Sequence, residues 1–317
     1  MSEKKRIDQP TGTETVGHEW DGIEELNTPL PRWWLWTFYG TVAFAVGYCV
    51  AYPALPGANG QPGGATQWSS RQQLQQELDA REAQLKPIHT ALATTDITRL
   101  EAQPQLMQAA IAGGAAAFKV HCIQCHGSGA TGSKGYPNLN DDDWLWGGDI
   151  ATIEKTITDG VRQPNHDATR FSQMPAFGRD GILTPAQVDD TVSYVRTVSH
   201  QEKASASSRR GADLFAANCV VCHGPDGKGM RAQGAPDLTD AIWLYGGDRA
   251  TIRQTVTNSR YGVMPAWGPK LDNVTIRMLA AYVHSLGGGE AAPAPVAAPQ
   301  QADATSAPAA GADHVGG

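Results

Sequence analysis

Apolar residues form one long uninterrupted run near the N-terminus. Residues 33–55, with the sequence WWLWTFYGTVAFAVGYCVAYPAL, carry no charge, whereas residues 1–32 are polar. At about 1.5 Å per residue, a helix of this length crosses a hydrocarbon core roughly 30 Å thick with some tilt. Tryptophan and tyrosine residues crowd its ends, as they do at membrane interfaces. The pattern therefore predicts a transmembrane helix over 33–55.

A cleaved signal peptide is the alternative interpretation of this run. The run is too long for one, its leader is long and acidic, and no clear small-x-small cleavage site follows. An uncleaved anchor is therefore predicted. Its orientation follows from basic residues, because Lys4, Lys5, Arg6 and Arg32 precede it and only Arg71 lies in the twenty residues after it. The positive-inside rule places the N-terminus in the cytoplasm.

Shorter apolar stripes follow the anchor. Residues 56–66 form a linker rich in Gly, Pro and Gln, and residues 67–86 predict a short exposed helix that ends at Pro87. Further along the chain, the stretches 185–198 and 274–286 each carry an apolar stripe with helical spacing. We predict that these two helices cross the pair of helices that contains the repeated pattern.

That repeated pattern begins near residue 105. Two sets of residues, each spaced four apart on one helix face, are Gly114, Phe118 and Cys122, and Gly211, Phe215 and Cys219. A Gly within a helix costs about 1 kcal/mol relative to Ala. Its recurrence in one frame indicates that another backbone crosses closely there. Tyr194 and Tyr282, on the candidate crossing helices, are predicted to contact Phe118 and Phe215.

Composition narrows the function classes. The 317-residue chain has a net charge of −7 and a pI of about 5.7, which disfavours nucleic acid as a partner. Of its five cysteines, Cys49 lies alone in the apolar run and the other four belong to two pentapeptides. No pair is left over for a disulfide framework, so the thiols indicate cofactor attachment.

Both pentapeptides have the form Cys-x-x-Cys-His, which is the attachment signal of a c-type haem. They comprise Cys122, Cys125 and His126, and Cys219, Cys222 and His223. Two intervening residues set the thiols one helical turn apart, about the separation of the two haem vinyl groups, and the next imidazole can then reach the iron. A lone copy could bind another metal or occur by chance. Two copies in matching surroundings favour two covalently attached haems, which bacteria attach outside the cytoplasm.

A sixth iron ligand is available downstream of each pentapeptide. Met174 and Met264 each begin a Met-Pro-Ala-aromatic-Gly sequence, and a thioether ligand gives a low-spin carrier of relatively high potential. The predicted iron ligands are therefore His126, Met174, His223 and Met264. His166 is an alternative sixth ligand for the first haem. The sequence leaves open whether each methionine serves its own repeat or whether the methionine loops are exchanged.

A third matched block lies between each pentapeptide and its methionine. Residues 141–158, DDDWLWGGDIATIEKTIT, parallel residues 239–257, and Asp149 and Asp248 are predicted to cap short helices. The first repeat also contains a net insertion, for which residues 162–172 are the predicted site. The three aspartates at the start of the first block are interpreted either as a solvated turn or as a docking surface for a basic electron donor.

Together these residues resemble one family. The stretch 21–48, DGIEELNTPLPRWWLWTFYGTVAFAVGY, precedes two Cys-x-x-Cys-His domains that contain DDDWLWGG and MPAFG or MPAWG. This arrangement is similar to the di-haem subunit III of cbb(3)-type cytochrome c oxidases, known as CcoP or FixP. The similarity runs from about residue 14 to 286. The N-terminal stretch is its specific part, because di-haem domains occur in many complexes.

The resemblance implies a single-pass subunit of a bacterial inner membrane with its haem domains in the periplasm. Such a subunit accepts electrons from a cytochrome c donor and passes them through a mono-haem cytochrome c subunit to the haem–copper catalytic subunit. Oxygen is reduced there with proton pumping, in aerobic respiration. The axial residues of the family map onto His126, Met174, His223 and Met264. No bond-making catalytic centre is expected in this chain.

Two other functions remain open from the residues alone. A membrane-anchored di-haem cytochrome could serve a periplasmic dehydrogenase, or it could be a free-standing electron carrier. The predicted fold is all-α, with one N-terminal transmembrane helix followed by two tandem cytochrome c domains. The predicted segments are a cytoplasmic segment 1–32, the membrane helix 33–55, a linker with a short helix 56–104, cytochrome c domains 105–200 and 201–287, and a disordered Ala/Pro/Gly-rich tail 288–317.

Overall fold

The computed structural model describes residues 5–52, 64–66 and 68–291. Most of the predicted linker and residues 292–317 of the predicted disordered tail, including His314, lie outside the described residues. The chain divides into two compact units, one that ends at Leu85 and one that begins at Lys86. Each is described by itself below.

A β-hairpin precedes the membrane helix in the first unit. Strand β1 (Thr15–Trp20) pairs antiparallel with strand β2 (Ile23–Leu26). Asp21 and Gly22 connect them with φ values of 46° and 86°. Two consecutive positive φ angles are what a two-residue hairpin turn of this kind requires. The hairpin was not among the elements that the polar pattern of this segment predicts.

Helix α1 (Arg32–Ala51) is the predicted apolar helix. It is long and apolar enough to cross a membrane, and none of its residues is buried within the chain. Large side chains such as those of Trp36 and Phe44 are 76% and 72% exposed. Such a surface is suited to lipid rather than to water. The helix ends at Ala51, and residues 53–55 of the predicted span lie outside the described residues.

Helix α2 (Ser70–Thr94) is longer than predicted, and the expectation that it ends at Pro87 was wrong. A proline in a helix interior removes one backbone hydrogen bond and crowds the preceding turn. Here the helix continues because its last turns are buried. Leu92 is 1% exposed, and Ile88 packs against the same hydrophobic core. Tertiary packing therefore overrides the local preference.

The second unit is helical. Its α-helices are α3 (Pro104–His121), α4 (Ile123–His126), α5 (Ile150–Asp159), α6 (Pro185–Val198), α7 (Ala206–Asn218), α8 (Val220–His223), α9 (Arg249–Asn258) and α10 (Asn273–His284). Two 3₁₀-helices accompany them, at Ile97–Ala102 and Arg231–Gln233. Helices α3 to α6 and α7 to α10 have the same order, which is the repeat that the sequence predicts.

Side-chain caps fix the helix starts as predicted. Asp149 accepts a hydrogen bond from the backbone N–H of Thr152 at the start of α5, and Asp248 accepts one from Thr251 at the start of α9. Thr184 forms a capping box at the start of α6. Each cap satisfies a backbone N–H that the helix itself leaves unpaired.

The helix that leads into each pentapeptide is crossed by the last helix of the other repeat. Helix α3 packs against α10, and α7 packs against α6. A Cβ on Gly114 would overlap the carbonyl oxygen of Met278, and a Cβ on Gly211 would overlap that of Asp190. The close backbone crossings predicted from the two glycines are therefore present, and they join different repeats.

Aromatic pairs confirm this arrangement. The ring of Phe118 lies 5.3 Å from that of Tyr282, and the ring of Phe215 lies 5.1 Å from that of Tyr194, measured between centroids. Both phenylalanines are almost fully buried. Each aromatic pair takes one residue from each repeat.

Two hydrophobic cores result. The first contains Phe118, the isoleucines of α5 and the apolar face of α10. The second contains Phe215, the buried valines of α6, and Ile252 and Val256 of α9. The predicted stretches 105–200 and 201–287 therefore each keep their order of elements, but the last helix of each lies in the core of the other.

The first residues of the predicted tail are bonded to the helical unit. Trp144 donates its indole N–H to the carbonyl of Gly288 at 2.5 Å. Glu290 accepts a hydrogen bond from the backbone N–H of Gly148 at 2.8 Å, and its carboxylate forms an ion pair with Arg231. Residues 288–291 therefore connect the first repeat to the second. The prediction that the disordered tail begins at residue 288 was wrong for these four residues.

Candidate haem sites

The two pentapeptides adopt the same local structure. Each first cysteine ends a long helix with φ −113° and ψ −27°, and its carbonyl accepts the backbone N–H of the histidine four residues on. The donor–acceptor distances are 3.0 Å from His126 to Cys122 and 2.9 Å from His223 to Cys219. Both cysteines of a pentapeptide and the following histidine therefore lie along one helical turn, which is the arrangement that the sequence predicts.

Each histidine is oriented by a backbone carbonyl. The Nδ1 atom of His126 lies 3.1 Å from the carbonyl oxygen of Pro137, and Nδ1 of His223 lies 3.1 Å from that of Pro236. A carbonyl only accepts hydrogen bonds, so Nδ1 carries the proton and Nε2 keeps its lone pair. Burial lowers the pKa of both imidazoles below the ordinary value. Neutral imidazoles with a free Nε2 fit iron ligation.

The methionines lie with the pentapeptide of the other repeat. Met264 packs against the core that contains Phe118 and Cys122. Met174 packs against the core that contains Phe215 and Cys219. The structure therefore packs each methionine on the core beside the pentapeptide of the other repeat, which gives two groups of predicted site residues. This packing favours exchange among the alternatives that the sequence leaves open, and the ligand roles stay predictions.

Backbone hydrogen bonds hold the Met264 loop beside the first group. Val161 and Met264 exchange N–H and carbonyl contacts, both at 3.0 Å, and Trp267 donates its N–H to the carbonyl of Ile157 at 3.0 Å. Gly160 is required there, because a Cβ would overlap the carbonyl oxygen of Met264. The end of α5 therefore forms the support of a methionine loop that comes from the second repeat.

The Met174 loop has an equivalent support in the second group. Ser259 donates its hydroxyl to the carbonyl of Met174 at 2.6 Å. Arg179 donates its backbone N–H to the carbonyl of Thr257 at 2.8 Å. The end of α9 thus holds the methionine loop of the first repeat.

His166 lies in the predicted insertion at the end of α5. Its Nε2 atom is 3.6 Å from the carboxylate of Asp159. That nitrogen is buried and forms no hydrogen bond among the described residues. Met264 packs on the core that contains Phe118, and this packing favours Met264 over His166 as the sixth ligand of the first group.

Two half-buried arginines lie beside the first group, and the sequence did not indicate them. Arg162 donates to the carbonyls of Gly262 and Ser172 at 2.7 and 2.9 Å. Arg170 donates to the hydroxyl of Thr156 at 2.9 Å, and its guanidinium lies 5.5 Å from the ring centroid of Trp146.

Neither guanidinium has a carboxylate within ion-pair distance among the described residues. Burial lowers the pKa of Arg162 and of Arg170 below the ordinary value. A partly buried cation without a direct ion-pair partner is costly, although the more distant carboxylates of Asp159 and Asp149 partly offset the effect of burial on the pKa of Arg170. Two such cations beside the Met264 loop fit a cofactor that carries carboxylates, as haem does.

Contacts between the loops connect the two groups. A Cβ on Gly135 would lie 3.2 Å from the ring of Tyr245, and a Cβ on Gly234 would overlap the ring of Trp146. Gly135 also donates its N–H to the carbonyl of Leu244 at 2.8 Å. Each of these glycines lies two residues before the proline whose carbonyl orients a histidine. The aromatic block of each repeat therefore touches the histidine loop of the other.

The acidic turn of the first repeat faces the second repeat. Asp143 is half-buried, and burial raises its pKa to about 6, with further increases from Asp240, Asp141, Asp237 and Asp142. Carboxylates of both repeats converge at this turn. The predicted interpretation as a solvated turn therefore does not describe Asp143, which is half-buried.

Family models of known proteins match three successive stretches of the chain. The family model described as the N-terminal domain of cytochrome oxidase-cbb3, FixP, matches residues 12–59. A cytochrome c model matches residues 111–199, and the model of cytochrome c oxidase, cbb3-type, subunit III matches residues 206–283. The three matches follow one another along the chain in the order anchor, first repeat, second repeat.

Individual relatives are similar over most of the chain. The cbb3-type cytochrome c oxidase subunit CcoP of Cereibacter sphaeroides is 52% identical over 290 residues, which cover 92% of this chain and 100% of the relative. Subunit FixP of Azorhizobium caulinodans is 48% identical over 285 residues, covering 90% and 96%. Subunit CcoP of Rhodobacter capsulatus is 48% identical over 286 residues, covering 87% and 96%.

Proposed function

The chain belongs to the CcoP/FixP family of cbb3-type cytochrome c oxidase subunits, and from this we propose that it relays electrons through two c-type haems towards the oxygen-reducing subunit. The observation that carries the proposal is the paired geometry of the two groups. Each combines two cysteines on a helical turn, a histidine whose Nδ1 is held by a proline carbonyl, and a methionine packed on the same core.

The residues divide the work of holding the cofactors. Cys122 and Cys125 would form the thioethers of the first haem, and His126 with Met264 would bind its iron. Cys219, Cys222, His223 and Met174 would hold the second haem in the same way. Haem supplies the one-electron chemistry when bound, and a histidine–methionine pair favours the ferrous state. With a histidine and a methionine available to each haem iron, neither site would offer an open coordination position to a substrate.

The protein contributes orientation, burial and charge. The two proline carbonyls hold the imidazole planes, and the buried Phe118 and Phe215 would help to exclude water from the haem sites. Arg162 and Arg170 would bind the carboxylates of the first haem, which would give each guanidinium a direct ion-pair partner. A bound cation also favours the ferrous over the ferric state, because it opposes additional positive charge.

Electrons would pass from one haem to the other across the contact of the two repeats. Trp146 packs on Gly234 and Tyr245 packs on Gly135, so each aromatic block touches the loop that orients the histidine of the other haem. These contacts fill the space between the two histidine loops with protein and would keep the separation of the two haems constant. Outer-sphere transfer requires no bond to be made or broken there.

The membrane helix determines where the relay operates. With the N-terminus in the cytoplasm, the second unit lies in the periplasm of a bacterial inner membrane, where a cytochrome c donor is accessible. The partners are the mono-haem cytochrome c subunit and the haem–copper catalytic subunit. Oxygen reduction and proton pumping belong to the catalytic subunit, and this chain delivers the electrons.

Isolation of the complex in mild detergent tests the function. We expect the chain to co-purify with a copper- and high-spin-haem-containing subunit and to carry two covalent haems by intact mass. Mild proteolytic removal of this chain should stop electron delivery from cytochrome c while artificial reductants still support oxygen uptake. A flavin- or quinone-containing partner would instead assign the chain to a periplasmic dehydrogenase, and isolation without any partner would assign a free-standing carrier.

A further inference from the structure

The exchanged helices occupy equivalent positions in the two repeats. Aligning α5 with α9 places Glu154 at the position of Arg253, and aligning α6 with α10 places Asp189 at the position of Arg277. Either repeat therefore has the elements to close a core by itself. Exchange needs a reason that lies in the side chains rather than in the order of elements.

Ion pairs of opposite orientation join the helices in the two cores. Glu154 of α5 lies 3.1 Å from Arg277 of α10, with side chains that are 20% and 18% exposed. Arg253 of α9 lies 2.9 Å from Asp189 of α6, with side chains that are 52% and 47% exposed. The acidic residue of the first pair, Glu154, lies on α5, whereas the acidic residue of the second pair, Asp189, lies on α6, the last helix of the first repeat. The better buried pair, Glu154 with Arg277, contributes more.

Pairing within one repeat would put like charges together. Helix α5 against α6 would place Glu154 opposite Asp189, and α9 against α10 would place Arg253 opposite Arg277. Like charges in direct opposition disfavour an arrangement, and opposite charges at the same positions favour its competitor. The charges of these four residues therefore discriminate between the exchanged and the unexchanged fold.

Side-chain size and hydrogen bonding also favour the exchanged fold over the unexchanged fold. In the first core, Gly113 of α3 faces Met278, and a Cβ on Gly113 would overlap the thioether sulfur of Met278. At the position equivalent to Gly113, α7 carries Arg210, which forms two hydrogen bonds of 2.7 Å with Asp190 of α6.

An unexchanged fold would lose both the contact of Gly113 with Met278 and the hydrogen bonds of Arg210 with Asp190. Arg210 would then meet the apolar thioether of Met278 instead of a carboxylate, and the side chain of Met278 would have to move. Asp190, which is 8% exposed, would face Gly113 and lose the guanidinium of Arg210 and the hydroxyl of Ser207. A buried carboxylate without partners is strongly unfavourable.

We propose that two complementary sets of residues on the crossing helices, Glu154–Arg277 with Gly113–Met278 and Arg253–Asp189 with Arg210–Asp190, act as positioning residues that direct each methionine loop to the pentapeptide of the other repeat. The identity of the methionines as iron ligands rests on the proposed function. The direction of the exchange rests on the contacts of the crossing helices.

Disulfide reporters in the full haem-loaded chain test the direction of pairing. A Cβ at position 268 lies 3.1 Å from Cγ2 of Thr158, so Thr158→Cys with Gly268→Cys reports exchange. Gly178 is the equivalent residue of the first repeat, so Thr158→Cys with Gly178→Cys is the matched reporter of unexchanged pairing. In the otherwise unchanged chain, we expect the 158–268 disulfide and little of the 158–178 disulfide in peptide maps.

Reversal of the charges supplies the decisive comparison. Each reporter is combined with Glu154→Arg plus Arg253→Glu, or with the neutral control Glu154→Gln plus Arg253→Gln. Reversal should lower the yield of the 158–268 disulfide several-fold and raise that of the 158–178 disulfide, and the neutral control should fall between. Equal yields in all three backgrounds would overturn the proposal, as would a 158–178 disulfide that predominates in the unreversed chain.

A second measurement covers the case in which the reversed chain does not accumulate. A protease site is inserted after Lys203, in the turn between α6 and α7, and the folded chain is cut there. The two fragments of the otherwise unchanged chain should elute together on gel filtration, because each exchanged core contains helices of both fragments. Replacement of Arg210 by Gly removes one complementary contact and should increase the proportion of fragments that elute separately. Fragments that separate already in the unchanged chain would contradict exchange.

Ligation of the haem iron is measured independently of helix pairing. Covalent haem content and the sulfur-to-iron charge-transfer band report whether histidine and methionine bind the iron, whichever repeat supplies the methionine. Disulfide patterns report only which helices pair. Failure of the proposed function and failure of the positioning role therefore give different results.

Discussion

The carbonyl oxygen of Met278 occupies the space that a side chain at Gly114 would need. This contact joins the helix before the first pentapeptide to the last helix of the other repeat, and Gly211 has the same relationship to Asp190. Backbones that approach this closely leave room for hydrogen alone. The two glycines therefore determine how near each closing helix comes to the helix that precedes the haem attachment site.

Gly114→Ala tests this relationship. The added methyl group must displace the backbone of α10, so we expect a loss of about 2–3 kcal/mol in the free energy of unfolding. Gly129→Ala is the control, because a Cβ at position 129 lies in ordinary contact, 3.8 Å from Thr131. Denaturant unfolding followed by haem absorbance measures both. Equal stability of the two variants would show that α10 does not cross at Gly114.

Arg277→Gln should separate α10 from α2 and α5. Its guanidinium donates to the carbonyls of Leu92 and Thr95 at 2.6 and 2.7 Å and lies 3.1 Å from the carboxylate of Glu154. Loss of the cation leaves Glu154 half-buried without a partner, and we expect destabilisation of about 2–4 kcal/mol. Hydrogen exchange at the last turn of α2 should increase.

Arg179→Gln is the matched control for that experiment. Arg179 pairs with the neighbouring Asp180 on an exposed surface, and an ion pair in contact with water contributes little to stability. A similar loss of stability in both variants would contradict a specific role for Arg277.

The predicted sequence features differ in how far they determine the fold. Sequence alone identifies the pentapeptides, the methionine loops and the crossing glycines, because covalent attachment, ligation and close backbone contact each require particular residues. The same residues cannot predict exchange between the repeats, because both repeats carry them. It becomes visible only when charges on different helices, such as Glu154 and Arg277, are compared as pairs.

Other features show where local patterns mislead. The turn residues Asp21 and Gly22 are a hairpin signal, but the strands beside them are short and polar and carry little apolar alternation. Pro87 is a helix breaker by its chemistry, yet burial of Leu92 continues the helix. The role proposed for Arg170 depends on its half-buried guanidinium having no carboxylate at ion-pair distance among the described residues, which only the folded chain reveals.

Asp143→Asn should change the pH dependence of stability. The pKa of Asp143 is raised to about 6 from 3.8, so the folded chain holds its proton more tightly than the unfolded chain. The ionised carboxylate therefore destabilises the fold, and stability is lost as pH rises from about 4 to 6. We expect the variant to be more stable at pH 7, by about 1 kcal/mol after screening at this half-buried site, and equal below about pH 4.

Thermal unfolding between pH 4 and 7 measures this difference, with the exposed Asp142 replaced by Asn as the control. A pH-independent difference between the unchanged chain and the Asp143→Asn variant would show that the carboxylate does not titrate in this range. The same variants in a reaction with a basic cytochrome c test docking at the acidic turn, which predicts a weaker salt dependence of the on-rate when charge is removed.

Arg170→Gln should lower the reduction potential of the first haem. Loss of the cation leaves a haem carboxylate unpaired, which favours the ferric state and raises the pKa of that carboxylate. The potential should then become more dependent on pH near neutrality. Redox titration at several pH values measures both effects, and Arg209→Gln, an exposed arginine on α7, is the control. An unchanged potential would remove Arg170 from the environment of the haem.

Assignment of each methionine to a haem tests the central claim most directly. In a chain that retains only the first pentapeptide, with Cys219 and Cys222 replaced by Ala, the sulfur-to-iron band of the oxidised protein reports one haem. We predict that Met264→Ala abolishes this band and opens the iron to carbon monoxide, whereas Met174→Ala leaves the band intact. Loss of the band in the Met174→Ala variant and its retention in the Met264→Ala variant would contradict exchanged ligation.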